Sequence, residues 1–112
     1  MTMTNIDTFM ALDMRTGTIQ SASPLPEAHV PAWVLDIDFG PEIGTLRTSA
    51  RITDHYDATD LIDRQVIAVI NLGERQIGSI ISQCLVLGIP DADGKVVLIQ
   101  PDRRTADGLR LS

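Results

Sequence analysis

Two histidines, one cysteine and a ladder of aspartates are the residues of this 112-residue chain most able to act as base, nucleophile or metal ligand. Covalent catalysis needs a hydroxyl, thiol or amine held beside a base. Here His29 lies in a proline-flanked segment and His55 in an acidic loop, and neither belongs to a nucleophile motif. Cys84 precedes Leu85, Val86 and Leu87, the setting of a packed thiol rather than an activated one. Asp54, Asp57, Asp60 and Asp63 recur at every third position. An EF-hand loop instead needs ligands at alternate positions, a central glycine and a closing glutamate. Asp91-Ala92-Asp93-Gly94 is too short for that loop, and Gly73, Gly78 and Gly88 match neither phosphate-cradling pattern. The residues therefore predict a non-enzymatic protein with no metal and no cofactor.

Binding chemistry is the remaining option. Stacking on single-stranded nucleic acid needs exposed aromatic rings. The chain has only Phe9, Trp33, Phe39 and Tyr56, and Trp33 and Phe39 share the apolar face of one strand, where packing claims them. Nine basic residues face fifteen acidic ones, for a formal charge of −6, which argues against strong non-specific attachment to phosphates. A local basic patch is compatible with that total.

The elements that must position any such patch are mostly strands. Thr4-Asn5-Ile6-Asp7 has the form of a helix start, and Ile6, Phe9 and Met10 follow at helical spacing, predicting a short helix over about residues 5–12. Met14–Ser23 reads as a strand bent at Gly17, and Ala32–Phe39 alternates apolar and polar residues. Gly40–Gly44 reads as a turn leading into a partner strand, Thr45–Ser49. Residues 50–64 read as loop or short helical turns. Val66–Leu72 is a near-continuous apolar strand, and Pro90–Gly94 is a turn between Cys84–Gly88 and Lys95–Gln100. Gly78 is expected to mark a strand bend.

Five principal strands in about 100 residues suggest an all-β fold, a five-stranded Greek-key barrel of the oligonucleotide/oligosaccharide-binding (OB) type, or a small sandwich. One domain is expected over residues 1–112, with an N-terminal helical segment at 5–13, the barrel at 14–101 and a tail at 102–112. With 44% apolar and 21% charged residues, the composition is that of an ordinary globular domain. No apolar run approaches the roughly 20 residues that cross a bilayer. The N-terminus lacks the pattern of a signal peptide, and the lone cysteine suits a reducing compartment. A cytoplasmic protein without membrane contact is the expectation.

The ordered blocks of the chain resemble the tRNA-binding domain family, OB modules found beside methionyl- and phenylalanyl-tRNA synthetases. The matching blocks are Leu12–Ile19, Pro26–Ala32, Asp36–Gly40 with Glu42–Gly44, Ser49-Ala50 with Ile52-Thr53, Gln65–Asn71, Leu85–Gly88 and Val96–Asp102. The likeness is greatest to a small stand-alone bacterial branch described as a secretion-related chaperone. That resemblance implies an OB barrel and a homodimer built from the terminal extensions. It implies as ligands tRNA, unfolded or precursor polypeptide, or both; a docking domain for a larger enzyme is the third option. It places the binding surface on Ser49, Asn71, Arg75 and Ser82, with Gln83 where the family usually has Glu, and with Arg47 and Arg51 as neighbouring cations.

The departures are as informative. Gln76 and Ile81 stand where basic residues are usual, and Leu46 replaces a basic position that Arg47 partly offsets. Ile80 and Ile81 together are expected to make that face apolar, favouring polypeptide over phosphate.

Overall fold

A computed structural model describes residues 1–112. Helix α1 (Ile6–Ala11) is followed by β1 (Met14–Pro24), β2 (Trp33–Asp38), α2 (Gly40–Ile43) and β3 (Thr45–Ala50). Helix α3 (Ala58–Leu61) leads into β4 (Gln65–Val69), hairpin β5 (Arg75–Ile77) and β6 (Ile80–Ser82), then β7 (Leu85–Val86) and hairpin β8 (Gly88–Pro90) and β9 (Val96–Leu98). The antiparallel sheet has the order β3-β2-β1-β4-β7. It curls until β3 meets the Ser82–Cys84 segment, where the Gln83 N–H donates to the Arg47 carbonyl (2.7 Å) and the Thr48 hydroxyl donates to the Cys84 carbonyl (2.7 Å). The result is the nearly closed five-stranded OB barrel expected from the strand pattern.

Strand β1 makes the curl because it serves two ladders. Its first half pairs with β4 from Met14↔Val69 to Thr18↔Gln65, and its second half pairs with β2 up to Pro24↔Trp33. The register slips between Ile19 and Ser21, a bulge that increases the local twist. Gly17 faces the barrel interior directly beneath Ile37 and Phe39. Its glycine identity reflects that close approach.

Ile19, Leu35, Ile37, Phe39, Val66 and Leu98 fill the barrel, with Trp33 and Tyr56 packed at its margin. Trp33 Nε1–H donates to the Tyr56 carbonyl (2.9 Å), and the Tyr56 hydroxyl accepts from the Leu98 N–H (3.0 Å). Neither ring is available as a stacking platform. All five residues of β4 are buried because its other face, with Met14, carries Ile67 and Val69 beneath Leu87, Ile99 and Leu111. That two-sided burial explains its unbroken apolar sequence.

Several local expectations need correction. The N-cap of α1 is Asn5, whose side chain accepts from the Thr8 N–H (2.9 Å), rather than Thr4. The turn at Gly40–Gly44 contains a one-turn helix. Asp57 and Asp60 form a reciprocal capping box around α3, which gives two of the spaced aspartates a structural use. Gly78 (φ 57°) is the first residue of the two-residue turn joining β5 and β6, a position that favours glycine, rather than a bend within a strand. The tail packs on its own barrel. Gly108 and Leu111 donate to the Thr16 and Met14 carbonyls, and the Leu109 carbonyl accepts from Thr16, along the stretch of β1 that β2 has left. Leu111 is thereby half-buried within the chain, while Leu109 remains exposed. No helix is long and apolar enough to cross a membrane.

Candidate binding cleft

The β5–β6 hairpin packs beside the outer edge of β3. A cleft of about 310 Å³ opens there, lined by Thr48 and Ser49 of β3, Leu72 and Gly73 of the preceding loop, Arg75, Ile77 and Ser82 of the hairpin, and Cys84 and Leu85. A second lobe of about 250 Å³ continues past Ser49 and Ile77 to Leu25, Pro26, Glu27, His29, Val30 and Arg51. The two lobes share Ser49 and Ile77, so they form one shallow groove with a waist.

Three residues expected at the binding surface meet in the first lobe: Ser49, Arg75 and Ser82. Arg75 pairs with Ser82 across the hairpin, and partners directly opposite share a face. Arg51 borders the second lobe. Neither the Arg75 nor the Arg51 guanidinium makes a hydrogen bond or ion pair within the chain, and the first lobe has no acidic lining. On a protein of charge −6 this is a local patch of opposite sign, flanked by aliphatic side chains.

The other expected residues have structural partners. Arg47 forks onto Asp36 of β2 (2.8 and 3.1 Å), and this pairing, aided by Ser21, holds the Asp36 carboxyl below the usual carboxylate range. The cation that was to offset Leu46 is therefore already compensated, and Leu46 packs against the core. Gln83 bridges two elements: its Oε1 accepts from the Arg47 N–H (2.9 Å) and its Nε2 donates to Glu74 (3.2 Å). Asn71 lies outside the cleft lining. Its Oδ1 accepts from the Asp13 N–H (2.8 Å), and its Nδ2 donates to the Ala11 carbonyl (2.9 Å), tying the end of α1 to the end of β4. Substituting alanine, Asn71→Ala, is expected to lower stability by about 1–2 kcal/mol for two lost bonds. Amide exchange would check the cause, with protection lost first at Asp13.

The adjacent isoleucines do not form one apolar face. The hairpin alternates, so Ile80 is buried while Ile81 projects with Gln76 on the outer side, beside Asp36, Thr45 and Arg47. The apolar part of the cleft comes instead from Leu72, Ile77 and Leu85, which sequence reasoning missed. Their available signal was their position: Ile77 and Leu85 stand at the ends of short strands and Leu72 in the loop before β5, next to Gly78, Cys84 and Gly73 respectively.

Cys84 reaches the cleft wall but is buried there, which pushes its thiol up to about 12. An unfolded thiol ionises at lower pH, so this burial stabilises the fold fully below the ordinary thiol range and progressively less as pH rises through it toward about 12. At pH 8 the folded protein should resist a small thiol reagent and label fully in denaturant. Rapid labelling without denaturant would contradict that burial.

Barrel topology, terminal packing and the groove at the β3 edge together define a small OB-type binding module. The chain belongs to the tRNA-binding-domain family: the family described as "Putative tRNA binding domain" matches residues 14–110. It is similar to the chaperone CsaA of Bacillus anthracis, with 43% identity, a TM-score of 0.91, and coverage of 99% of this chain and 100% of that one. The CsaA chaperone protein of Picrophilus torridus is 39% identical at the same TM-score of 0.91, covering 98% of this chain and 100% of that one. The methionine–tRNA ligase of Parabacteroides distasonis is 32% identical over 91% of this chain. The chain spans only 15% of that ligase's length.

Proposed function

We propose that this protein is a non-catalytic, homodimeric CsaA-like module that holds unfolded or precursor polypeptide in the groove between β3 and the β5–β6 hairpin. The carrying observation is the lining of the first lobe: Leu72, Ile77 and Leu85 share it with one unpaired cation, Arg75, and the neutral hydroxyls of Thr48, Ser49 and Ser82. Such a lining favours an aliphatic segment with an occasional carboxylate over a run of phosphates. Neutralisation of Arg47 by Asp36 and the outward Gln76 and Ile81 support the same reading. The homodimer is supported by α1, which buries none of its residues and leaves Ile6, Phe9 and Met10 exposed. Pure protein is expected to suppress aggregation of a denatured client without ATP and to bind unfolded peptide by calorimetry. Failure of both measurements sinks the reading.

Family membership supports a second ligand, tRNA, at the same groove through Arg51, Arg75, Ser49 and Ser82. Filter binding at moderate salt tests it.

A further inference from the structure

The barrel seam leaves a strand edge unpaired inside the groove. Both main-chain groups of Arg47 face away from β2, because its carbonyl accepts from the Gln83 N–H (2.7 Å) and its N–H donates to Gln83 Oε1 (2.9 Å). Main-chain groups alternate direction along a strand, so those of Thr48 face β2 and those of Ser49 face the seam. A closed parallel seam would next join the Ser49 N–H to Gln83, and that bond is absent. The Ser49 carbonyl has no main-chain donor, and the nearby Thr48 hydroxyl, 3.3 Å away, gives its one proton to the Cys84 carbonyl at 2.7 Å. Ser49 is also the residue where the two lobes join.

We propose that an extended polypeptide binds by adding a short strand to the outer edge of β3 at Ser49, with alternate aliphatic side chains entering the two lobes. Unpaired edge groups are a template for strand addition, in which main-chain bonds supply affinity and side-chain pockets supply selectivity. Side chains on one face of a strand recur about every 6.8 Å, and the groove has two apolar lobes on either side of one waist. Ile77 serves both lobes, Leu72 and Leu85 the first, Leu25 and Val30 the second. Arg75, in the lobe without an acidic residue, favours a segment carrying a carboxylate there, whereas Arg51 shares the second lobe with Glu27. A phosphate backbone has no amide row to match this edge. The inference rests on the polypeptide reading above and specifies how the ligand is held.

Ser49→Pro tests it because proline removes the outward N–H, along with the hydroxyl, and leaves the bonds to β2 in place. Edge strands tolerate proline where that N–H faces out, and Thr48 before it is already extended. Ser49→Ala, which keeps the N–H and drops the hydroxyl, is the control. The probe is a capped heptapeptide alternating leucine with threonine and carrying one glutamate, titrated calorimetrically. Ser49→Ala should bind within about twofold of the parent, and Ser49→Pro about tenfold more weakly, the cost of one lost main-chain bond. On the unmodified protein, N-methylation moved along the peptide should weaken binding at every second amide. Equal binding by Ser49→Pro, or methylation losses without alternation, overturns strand addition. A peptide that fails to bind while client aggregation is still suppressed overturns it too and leaves the polypeptide reading standing. Loss of both activities removes the polypeptide reading itself.

Discussion

Gly17→Ala is expected to destabilise the fold by about 1–3 kcal/mol, the usual cost of forcing an extra carbon into a packed interior. A β-carbon at Gly17 would lie 2.7 Å from Ile37 Cγ2 and 2.7 Å from Phe39 Cε1. Real β-carbons do not approach side chains that closely, and neither neighbour has room to retreat: Ile37 is fully buried and Phe39 is 1% exposed. The strain must move β1 away from β2, at the point where β1 changes partner from one ladder to the other. For a domain of this size the midpoint of thermal unfolding should fall by roughly 5–15 °C. Chemical denaturation should show a lower midpoint at unchanged slope, since the surface exposed on unfolding is the same. A variant as stable as the parent would mean that the barrel closes without the contact of Gly17 against β2.

Arg75→Ala should separate the two candidate ligands by their salt dependence. Two unpaired cations, Arg51 and Arg75, border the groove. RNA held there by two phosphate contacts should show a log affinity against log salt slope of about −1.4 to −1.8. Removing Arg75 should reduce that slope by about half and weaken binding about tenfold. An aliphatic peptide with one carboxylate should respond less to salt and lose affinity mainly through its charged residue. A parent slope steeper than about −4 would require phosphate contacts well beyond this groove and would shift the preferred ligand to RNA. The acidic total charge then becomes a positive test, because it suppresses non-specific binding that could otherwise imitate either result.

Strand periodicity made most of the barrel legible in advance. The alternation of Trp33, Leu35, Ile37 and Phe39 fixed the inner face of β2, and the unbroken run in β4 followed from burial on both sides. The glycine- and serine-punctuated stretch after it was readable as short strands. Its facing was not, because a three-residue hairpin strand is too short for its period to be recognised. Adjacent Ile80 and Ile81 therefore looked like one apolar surface until the pairing with Gln76 and Ile77 separated them.

Residue types and their order by themselves determined the fold class, the family and the acidic character of the chain, because these depend on local periodicity and on ordered blocks. Only the tertiary structure decided which polar residues remain available. Arg47 lies opposite Asp36 through cross-strand register, and Asn71 meets the end of α1 across 60 positions of sequence. Arg75 has no partner at comparable reach. An arginine or an asparagine contributes to a binding surface only if its hydrogen-bonding capacity is unfilled, and that depends on neighbours brought together by the closing of the barrel.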